Sequence, residues 1–452
     1  MFHVKQSPLH ILLINPWITD FAAYNLWARP LGLLRIGSFL RRRGIRISLI
    51  DCLDFYSTKR KYGVGKFFKT KIPKPYPLRT IPRNYGRYGI TEEMLGERLS
   101  AIERPDLIGI ASGMTYWYPG LFETIKVLRS FYKDTPIVLG GIYATLCYDH
   151  AVQFSGADFV IQGNGEIEFL KIVSKFSELS DLSGINAQTL GSELQTMYPP
   201  YPCYDLYPQL DSVSMLTSKG CPFRCSYCAS RLIDGGFFRR DPQDVIKEIE
   251  YWTNRYAVKN IAFYDDALLV EPYAHLVPIL KGLSSKGIHC NFHAPNGLHI
   301  RVIDQEIADL LFRSQFKTIR LGFETSNEKE QTGTGGKVTN QEFQSAVRNL
   351  RKAGYSPGDI GVYLLVGMPG QKATEVEESI AYTRETGARP ILVEYSPVPG
   401  TPLFDKAMSL SQFDIRNEPL FHNNSILPCQ WERFTLADYR RLKEKISKGT
   451  YI

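Results

Sequence analysis

The stretch SVSMLTSKGCPFRCSYCAS, residues 212–230, decides how the chain is read. Its first six residues are strand-like and run directly into a loop carrying Cys221, Cys225 and Cys228. Gly220, Pro222 and Arg224 mark this as loop rather than core. Three thiolates on one short loop can hold three corners of a metal centre and leave one position open, because no fourth cysteine lies close by. The competing reading is a structural zinc site, which would need a distant His or Cys as its fourth ligand.

Downstream of the loop, strands and helices alternate. Asp241-Pro242 opens a helix over 242–255, 259–266 reads as a strand, 272–286 as a helix and 288–294 as a strand. A helix over 304–315 and a strand over 317–324 follow, then a capping box of Thr339 with Glu342 opens a helix ending near 352. The pattern closes with a strand at 359–367, a helix expected to be capped by Thr374 with Glu377, and a strand at 389–396. Six strands in this alternation predict a partial parallel (β/α)6 barrel over 212–405, with its chemistry at the C-terminal strand ends. Those ends carry the cysteine loop, Asp265-Asp266, Asn296-Gly297, Glu324, Gly367 to Gly370 and Ser396 to Gly400. The C-terminal segment, 406–452, contains Trp431 and a basic amphipathic run at 437–448, and is expected to pack as a cap over the barrel.

Upstream, 10–16, 45–51, 106–112, 136–141 and 157–163 are apolar throughout and separated by helical patterns at 30–44, 92–102, 119–132 and 143–154, with a fifth helix opening at Glu166. Uniformly apolar strands between helices predict a parallel sheet covered on both faces, a doubly wound α/β domain over 8–180 with an insertion at 55–91. Ligands of such sheets lie beyond the C-terminal strand ends. Ala111-Ser112-Gly113, Gly140-Gly141 and Gly163-Asn164-Gly165 stand there, where small residues either admit a ligand or simply make tight turns. No GxGxxG follows the first strand, which argues against a dinucleotide site. Residues 181–211, with Pro199, Pro200, Pro202 and Pro208, read as a linker.

Hydrophobic residues make up 44% and charged residues 22% of the 452, values that exclude a disordered chain. The longest run without Asp, Glu, Lys or Arg, Leu107 to Phe122, is too short and too broken for a spanning helix. Met1 to Asp20 shows no signal-peptide pattern, and a cytoplasmic location is expected, with its eight cysteines reduced. The net charge of +8 is concentrated: ten Lys and Arg fall between Asp54 and Glu92 with no acidic residue among them.

The cysteine spacing, with Tyr227 before the last cysteine, resembles the signature of radical S-adenosylmethionine enzymes. FYDDALLV, NGLHIRVID, IRLGFETS, LLVGMPG and PVPGTPLF stand in the order and spacing of the members with an appended cobalamin-binding domain, and ASGM and VLGG are similar to two loops of that domain. The resemblance implies that Cys221, Cys225 and Cys228 hold a [4Fe-4S] cluster whose open iron binds the amino and carboxylate groups of S-adenosylmethionine. Electron transfer would then cleave the sulfonium to a 5′-deoxyadenosyl radical. It further implies Tyr227 near the adenine, Asp265 or Asp266 at the amino group, Glu324 near the ribose or amino group, and Gly367 against the adenine. Ser112, Gly140 and Gly141 would line the cobalamin. Each carboxylate also has a purely structural reading, as a helix cap or a barrel salt bridge.

Two departures stand out. Between Pro16 and Arg29 there is no Asp-x-His-x-x-Gly and no histidine, so a bound cobalamin is expected base-off, without a protein imidazole on cobalt. After the fifth barrel strand many relatives read Pro-Gly-Glu-Thr, whereas this chain has Pro369-Gly370-Gln371-Lys372.

The expected activity is cobalamin-dependent methyl transfer to an unactivated carbon of a small molecule, with a flavodoxin or ferredoxin as electron donor and no membrane. An alternative keeps the radical chemistry without cobalamin and makes the first domain a module recognising RNA or protein. The basic segment 59–88, interleaved with Tyr62, Phe67, Phe68, Tyr76, Tyr85 and Tyr88, suits phosphate contact and stacking, though its prolines also fit a packed insertion. A corrinoid carrier with a structural cluster is a third reading. His289, Cys290 and His293 look like ligands, but strand alternation puts Cys290 on the other face, so a packed pair is expected. The aromatics of TYWYPG, 115–120, are expected either to flank a corrin or to pack.

Overall fold

In the computed structural model, which describes residues 8–176 and 201–447, the chain divides into two units between Leu210 and Asp211. Five parallel strands build the first: β1 (His10–Asn15), β2 (Arg46–Asp51), β3 (Leu107–Ser112), β4 (Ile137–Gly141) and β5 (Phe159–Val160), in the order 5-4-3-1-2. Successive side chains of a strand point to opposite faces. Leu12, Ile14, Ile108, Ile110 and Leu139 therefore enter one apolar core, while Ile11, Leu13, Leu107 and Val138 enter another. Two buried faces explain why these strands read as unbroken apolar runs.

The helix expected at 143–154 breaks at Cys147 into Ile142–Leu146 and Tyr148–Phe154. The basic insertion is built of short antiparallel strands: Gly86–Tyr88 pairs with both Ile18–Asp20 and Lys69–Lys71, and Gly65–Phe67 pairs with Tyr24–Asn25 and Tyr56–Lys59. Packing takes up most of its aromatics. Phe67, Tyr85 and Tyr88 are buried and Tyr62 and Phe68 half-buried, leaving Tyr76 at 79% exposure. Several cations lie over these rings, Lys69 over Tyr88 at 5.1 Å and Lys61 over Tyr62 at 4.8 Å. The mixture that suggested base stacking thus largely stabilises the insertion itself. TYWYPG is used in the same way: Tyr116 is buried, the Trp117 indole donates to Asp20 at 2.9 Å, and Tyr118 stacks on Tyr143.

The linker reading needs correction over 201–210. This stretch packs on the first unit through Arg41–Asp205 at 2.7 Å, Cys203 N–H to the Leu34 carbonyl at 3.1 Å, and the Tyr207 hydroxyl to Asp51 at 2.6 Å. Its prolines shape the path, while Cys203, Tyr204 and Tyr207 bury enough surface to fix it. The rest of the linker, up to residue 200, lies outside the described residues apart from Asp211.

The second unit carries six parallel strands in sequential order: β6 (Ser212–Met215), β7 (Asn260–Phe263), β8 (Asn291–His293), β9 (Phe316–Glu324), β10 (Ile360–Val366) and β11 (Arg389–Glu394). The first and last do not pair, so the barrel is partial. Phe263, Phe292 and Phe316 on neighbouring strands stack at 5.4 and 5.3 Å and form one layer of the core. The Thr339–Glu342 capping box is present. The other expected box is displaced by two residues. Lys372 is the N-cap of helix Ala373–Glu385, and its N–H donates to the Glu375 carboxylate at 2.9 Å. Within the C-terminal segment the helix Leu436–Ser447 flanks the last strand, bonded through Arg441–Glu377 at 3.0 Å and Lys443–Glu394 at 3.2 Å, while Trp431 donates to the Gln371 carbonyl at 2.7 Å beyond the end of β10. No helix among the described residues is long and apolar enough to cross a membrane.

Candidate active site

The cysteine loop begins where β6 ends, and a buried carboxylate fixes that exit. Asp265, at the end of β7 and 3% exposed, accepts from Thr217 N–H at 3.0 Å and Ser218 N–H at 2.5 Å. It also accepts from the hydroxyls of Thr217 at 2.7 Å and Ser218 at 2.6 Å. Burial raises its pKa and the four donors oppose the rise. Four donors leave Asp265 as a brace, and the neighbouring Asp266 is the exposed member of the pair, accepting from the Ser230 hydroxyl at 2.5 Å.

Ser218–Lys219 pairs antiparallel with Phe238–Arg239 and closes the loop at its base. Gly220 must be glycine here: its φ is +75° and a Cβ would fall 1.9 Å from the Gly236 carbonyl oxygen. Arg240 donates to the Leu216 carbonyl at 2.9 Å and pairs with Glu248 at 2.6 Å, both side chains buried. Above this base, Phe223 stacks on His299 at 4.3 Å, Ser226 N–H donates to the Thr334 carbonyl at 3.2 Å, and Leu403 N–H donates to the Ser226 carbonyl at 2.9 Å. The loop is thus held from four directions.

Within it, Cys221 and Cys225 are partly buried and Cys228 is exposed. Burial pushes the Cys221 thiol up to about 11, and burial followed by the Asp266 charge raises Cys228. The thiols influence one another's ionisation, yet no three His, Cys, Asp or Glu side chains among the described residues are gathered at ligating distance. The donor set, three thiols on one fixed loop beside a cation, suits an iron-sulfur cluster. Tyr227 packs with Leu365, Met368, Tyr395 and Phe404, and burial, then the Glu324 charge, raises its hydroxyl well above the ordinary value.

Glu324 ends β9 with φ +68°, a left-handed conformation, just where the pairing with β10 slips register. Its carboxylate receives the Lys337 ammonium at 2.6 Å, with side-chain exposures of only 13% and 18%. Burial alone would lower Lys337, but the charges of Glu324, Cys225 and Cys228 outweigh it and hold the ammonium above its usual value. Lys337 escaped the reading of the sequence. The signal for it was Gly335-Gly336, both at positive φ, a tight turn that brings the next residue back to the cysteine loop. A Cβ on Gly335 would stand 3.2 Å from Cys225 Cα.

At the end of β10, Gly367 has φ +80°, and a Cβ there would meet Leu427 at 3.1 Å and Phe434 at 3.9 Å, so the C-terminal segment covers this glycine. Gln371 brackets the same turn. Its carbonyl oxygen accepts from Gly367 N–H at 2.8 Å and Met368 N–H at 3.3 Å, and its amide donates to the Leu365 carbonyl at 3.0 Å. A neutral amide can both accept and donate here, which an ionised carboxylate cannot. Of the histidine pair, His293 is buried between Thr318 at 3.0 Å and Asn260 at 3.3 Å, while His289 is exposed and precedes the strand.

In the first unit the strand ends are made of backbone and space. A Cβ on Gly140 or Gly163 would meet nothing within 4 Å, whereas one on Gly141, φ +94°, would lie 2.6 Å from the Ser112 carbonyl oxygen. Gly140 opens room at the edge; Gly141 is required by the pairing of β4 with the buried Ser112. Open glycine at a sheet edge fits a large flat cofactor. The segment after β1 holds Trp17, whose indole donates to the Ile90 carbonyl at 2.7 Å, in the region where an axial histidine would be sought.

Residues 215–383 match the model of the Radical SAM superfamily. The chain is 24% identical over 395 residues to the uncharacterized methyltransferase PH0819 of Pyrococcus horikoshii, covering 80% of this chain and 81% of the relative. It is 23% identical over 329 residues to the bacteriochlorophyllide d C-12(1)-methyltransferase of Chlorobaculum tepidum, with 70% of each chain covered. Among solved structures it is similar to the radical S-adenosylmethionine methyltransferase TsrM of Kitasatospora setae, solved with cobalamin and a [4Fe-4S] cluster bound, at a TM-score of 0.64 and 16% identity over 90% of this chain and 80% of that one. Residues 215–383, which include the cysteine loop, thus form a radical S-adenosylmethionine domain. In fold, a parallel-sheet unit followed by a partial parallel barrel, the chain is similar to that cobalamin-bound structure.

Proposed function

We propose that this enzyme transfers a methyl group from S-adenosylmethionine to a carbon of a small-molecule substrate, with cobalamin as the carrier. The observation that carries the reading is the cysteine loop, clamped at the C-terminal strand ends beside Asp266, Glu324 and Lys337, in a chain whose other unit presents an open, glycine-lined sheet edge. A [4Fe-4S] cluster held by Cys221, Cys225 and Cys228 would supply the electron for sulfonium cleavage. Cobalamin, which Ser112, Gly140 and Gly141 would hold with no imidazole offered by residues 16–29, would supply a metal that accepts and donates a methyl.

The chain's own residues do the rest. Asp265 and the Ser218–Arg239 pairing hold the loop in one path, so the thiols are presented without a large search. Lys337 and Glu324 place balanced charge at the strand ends, and Gln371 holds the turn at Gly367 in shape without adding a charge. Tyr227, packed under that turn, gives a flat apolar wall. The thiol chemistry calls for a reducing, cytoplasmic setting and an electron donor such as flavodoxin or ferredoxin.

The test is anaerobic reconstitution with iron, sulfide and cobalamin. Wild type should show an iron-sulfur absorbance band, retain cobalamin, and with dithionite and S-adenosylmethionine give 5′-deoxyadenosine or a methylated corrinoid. Cys225→Ser should lower iron content and reduce turnover by about 100-fold or more. Full turnover in that variant would sink the reading.

A further inference from the structure

The inner wall of the last three barrel strands holds an arginine that the site described above does not use. Phe323 stacks on Phe343 of the helix Asn340–Ala353 at 4.1 Å, so Phe323 and its alternates on β9 face the helices while Arg320 and Gly322 face inward. Register sets Arg320 beside Gly361 and Gly361 beside Arg389, with Tyr363 beside Ile391 and Leu365 beside Val393 on the same face. Leu365 and Val393 pack with Tyr227, so this face looks towards the cysteine loop. Gly361 makes the place for the guanidinium: a Cβ there would stand 2.8 Å from Arg320 Nη1 and 2.7 Å from Ile391 Cδ1. Among the described residues the Arg320 charge meets only neutral oxygen, as Nη1 donates to the Ile319 carbonyl at 2.8 Å and the Tyr363 phenol lies beside it. Burial lowers its pKa, Tyr363 opposes the fall, and the like charge of Arg389 adds to it.

An arginine keeps its proton, so a half-buried guanidinium without a counter-ion destabilises its surroundings until an anion reaches it. Arg389 engages its Nε with the Gly358 carbonyl at 3.1 Å, and the fork of Arg320 matches one planar carboxylate. The wall is reachable: Arg320, Tyr363, Ile391 and Val393 are all half-buried, and the first and last barrel strands do not pair. Tyr363 donates to the Pro295 carbonyl at 2.7 Å, which turns its ring away from β11 and leaves Ile391 and Val393 as an apolar strip leading to Tyr227. Resting on the proposed function above, we propose that Arg320 anchors a carboxylate at one end of the substrate, whose apolar body lies along Ile391 and Val393. Four residues of strand separate Arg320 from Glu324, about 13 Å, so the methyl-accepting carbon stands at the far end of an elongate molecule from its carboxylate.

Decanoate, decanol and decyl phosphate share one apolar chain and differ at the end that Arg320 would meet. Their binding to reconstituted wild type, Arg320→Met and Arg320→Lys is measured by isothermal titration calorimetry, with melting temperature and S-adenosylmethionine turnover read on the same samples. Wild type should favour decanoate over decanol by about tenfold or more, the scale of one charge-assisted hydrogen bond. Arg320→Met should lose that preference while binding decanol as wild type does, and Arg320→Lys should keep part of it. Arg320→Met should also melt no lower than wild type, because it removes a half-buried charge that has no counter-ion, whereas loss of an arginine kept for structure would lower the melting temperature. Equal binding of decanoate and decanol by wild type, or binding of neither, would overturn the assignment, as would a wild-type preference in Arg320→Met or a fall of several degrees in its melting temperature. Tighter binding of decyl phosphate than of decanoate would overturn the carboxylate in favour of a phosphate. A wild type that selects decanoate yet forms neither 5′-deoxyadenosine nor a methylated corrinoid would instead overturn the proposed function and leave Arg320 as an anion site.

Discussion

The two parallel sheets of this chain present opposite kinds of strand end. In the second unit the ends carry charged side chains that hold one another: Asp265 braces the loop, Asp266 takes Ser230, Glu324 takes Lys337. In the first unit they carry glycines, and the notable quantity is empty space beside Gly140 and Gly163. One site is defined by what is present and the other by what is missing, so the two should fail differently under substitution.

The largest effect is expected where a missing side chain is demanded by backbone. Gly141→Val places a branched residue at φ +94° against the Ser112 carbonyl, and should cost about 3 kcal/mol or more in a denaturant titration. Gly140→Val meets nothing and should stay within about 0.5 kcal/mol of wild type, yet abolish retention of cobalamin. Equal stability of the two variants would erase the distinction drawn between these glycines.

Acid should expose the second contrast. In the second unit burial, with Arg239 nearby, lowers His275 to about 4, and burial, with Lys317, lowers His293 to about 3. Below the unfolded value of about 6.5 the unfolded chain takes up protons that the folded unit refuses. The stability these neutral rings contribute is complete above about pH 6.5 and is lost as pH falls towards 4 and 3, about 2–3 kcal/mol for each ring by pH 4.5. Hydrogen exchange at pH 7 and 4.5 should show the second unit losing more protection than the first, and His293→Gln should narrow that difference by its own share, about 2–3 kcal/mol.

The smallest effect belongs to the side-chain bracket. Gln371→Leu leaves two buried N–H groups without their acceptor and should cost about 2 kcal/mol, while a loss below 0.5 kcal/mol would show that the turn at Gly367 holds its own shape.

What was legible in the sequence followed the same division. The alternation of apolar runs gave both sheets, because burial on two faces leaves an unmistakable pattern, and the three cysteines stood out by spacing alone. The displaced cap was not readable: in KATEVEES, Glu375, Glu377 and Glu378 are all plausible N3 residues, and only the extended backbone of Lys372 selects the first. The stretch 201–210 looked like linker because proline was weighed above aromatic content, yet Tyr204 and Tyr207 are buried. Asp265 and Asp266 are interchangeable as letters; their roles separate only when one faces the exit of β6. Lys337 lay in a turn whose two glycines announced a close approach without saying to what.

The conformation of Glu324 has an evolutionary consequence. A non-glycine residue held in the left-handed region costs on the order of 1–3 kcal/mol, and a chain shaped only for robustness would place glycine or asparagine there. The glutamate therefore marks a place where the fold forgoes ease of folding for a negative charge. Glycine at 324 would relieve the backbone but leave the buried Lys337 ammonium without its partner, so directed evolution under heat alone should replace the glutamate only together with Lys337.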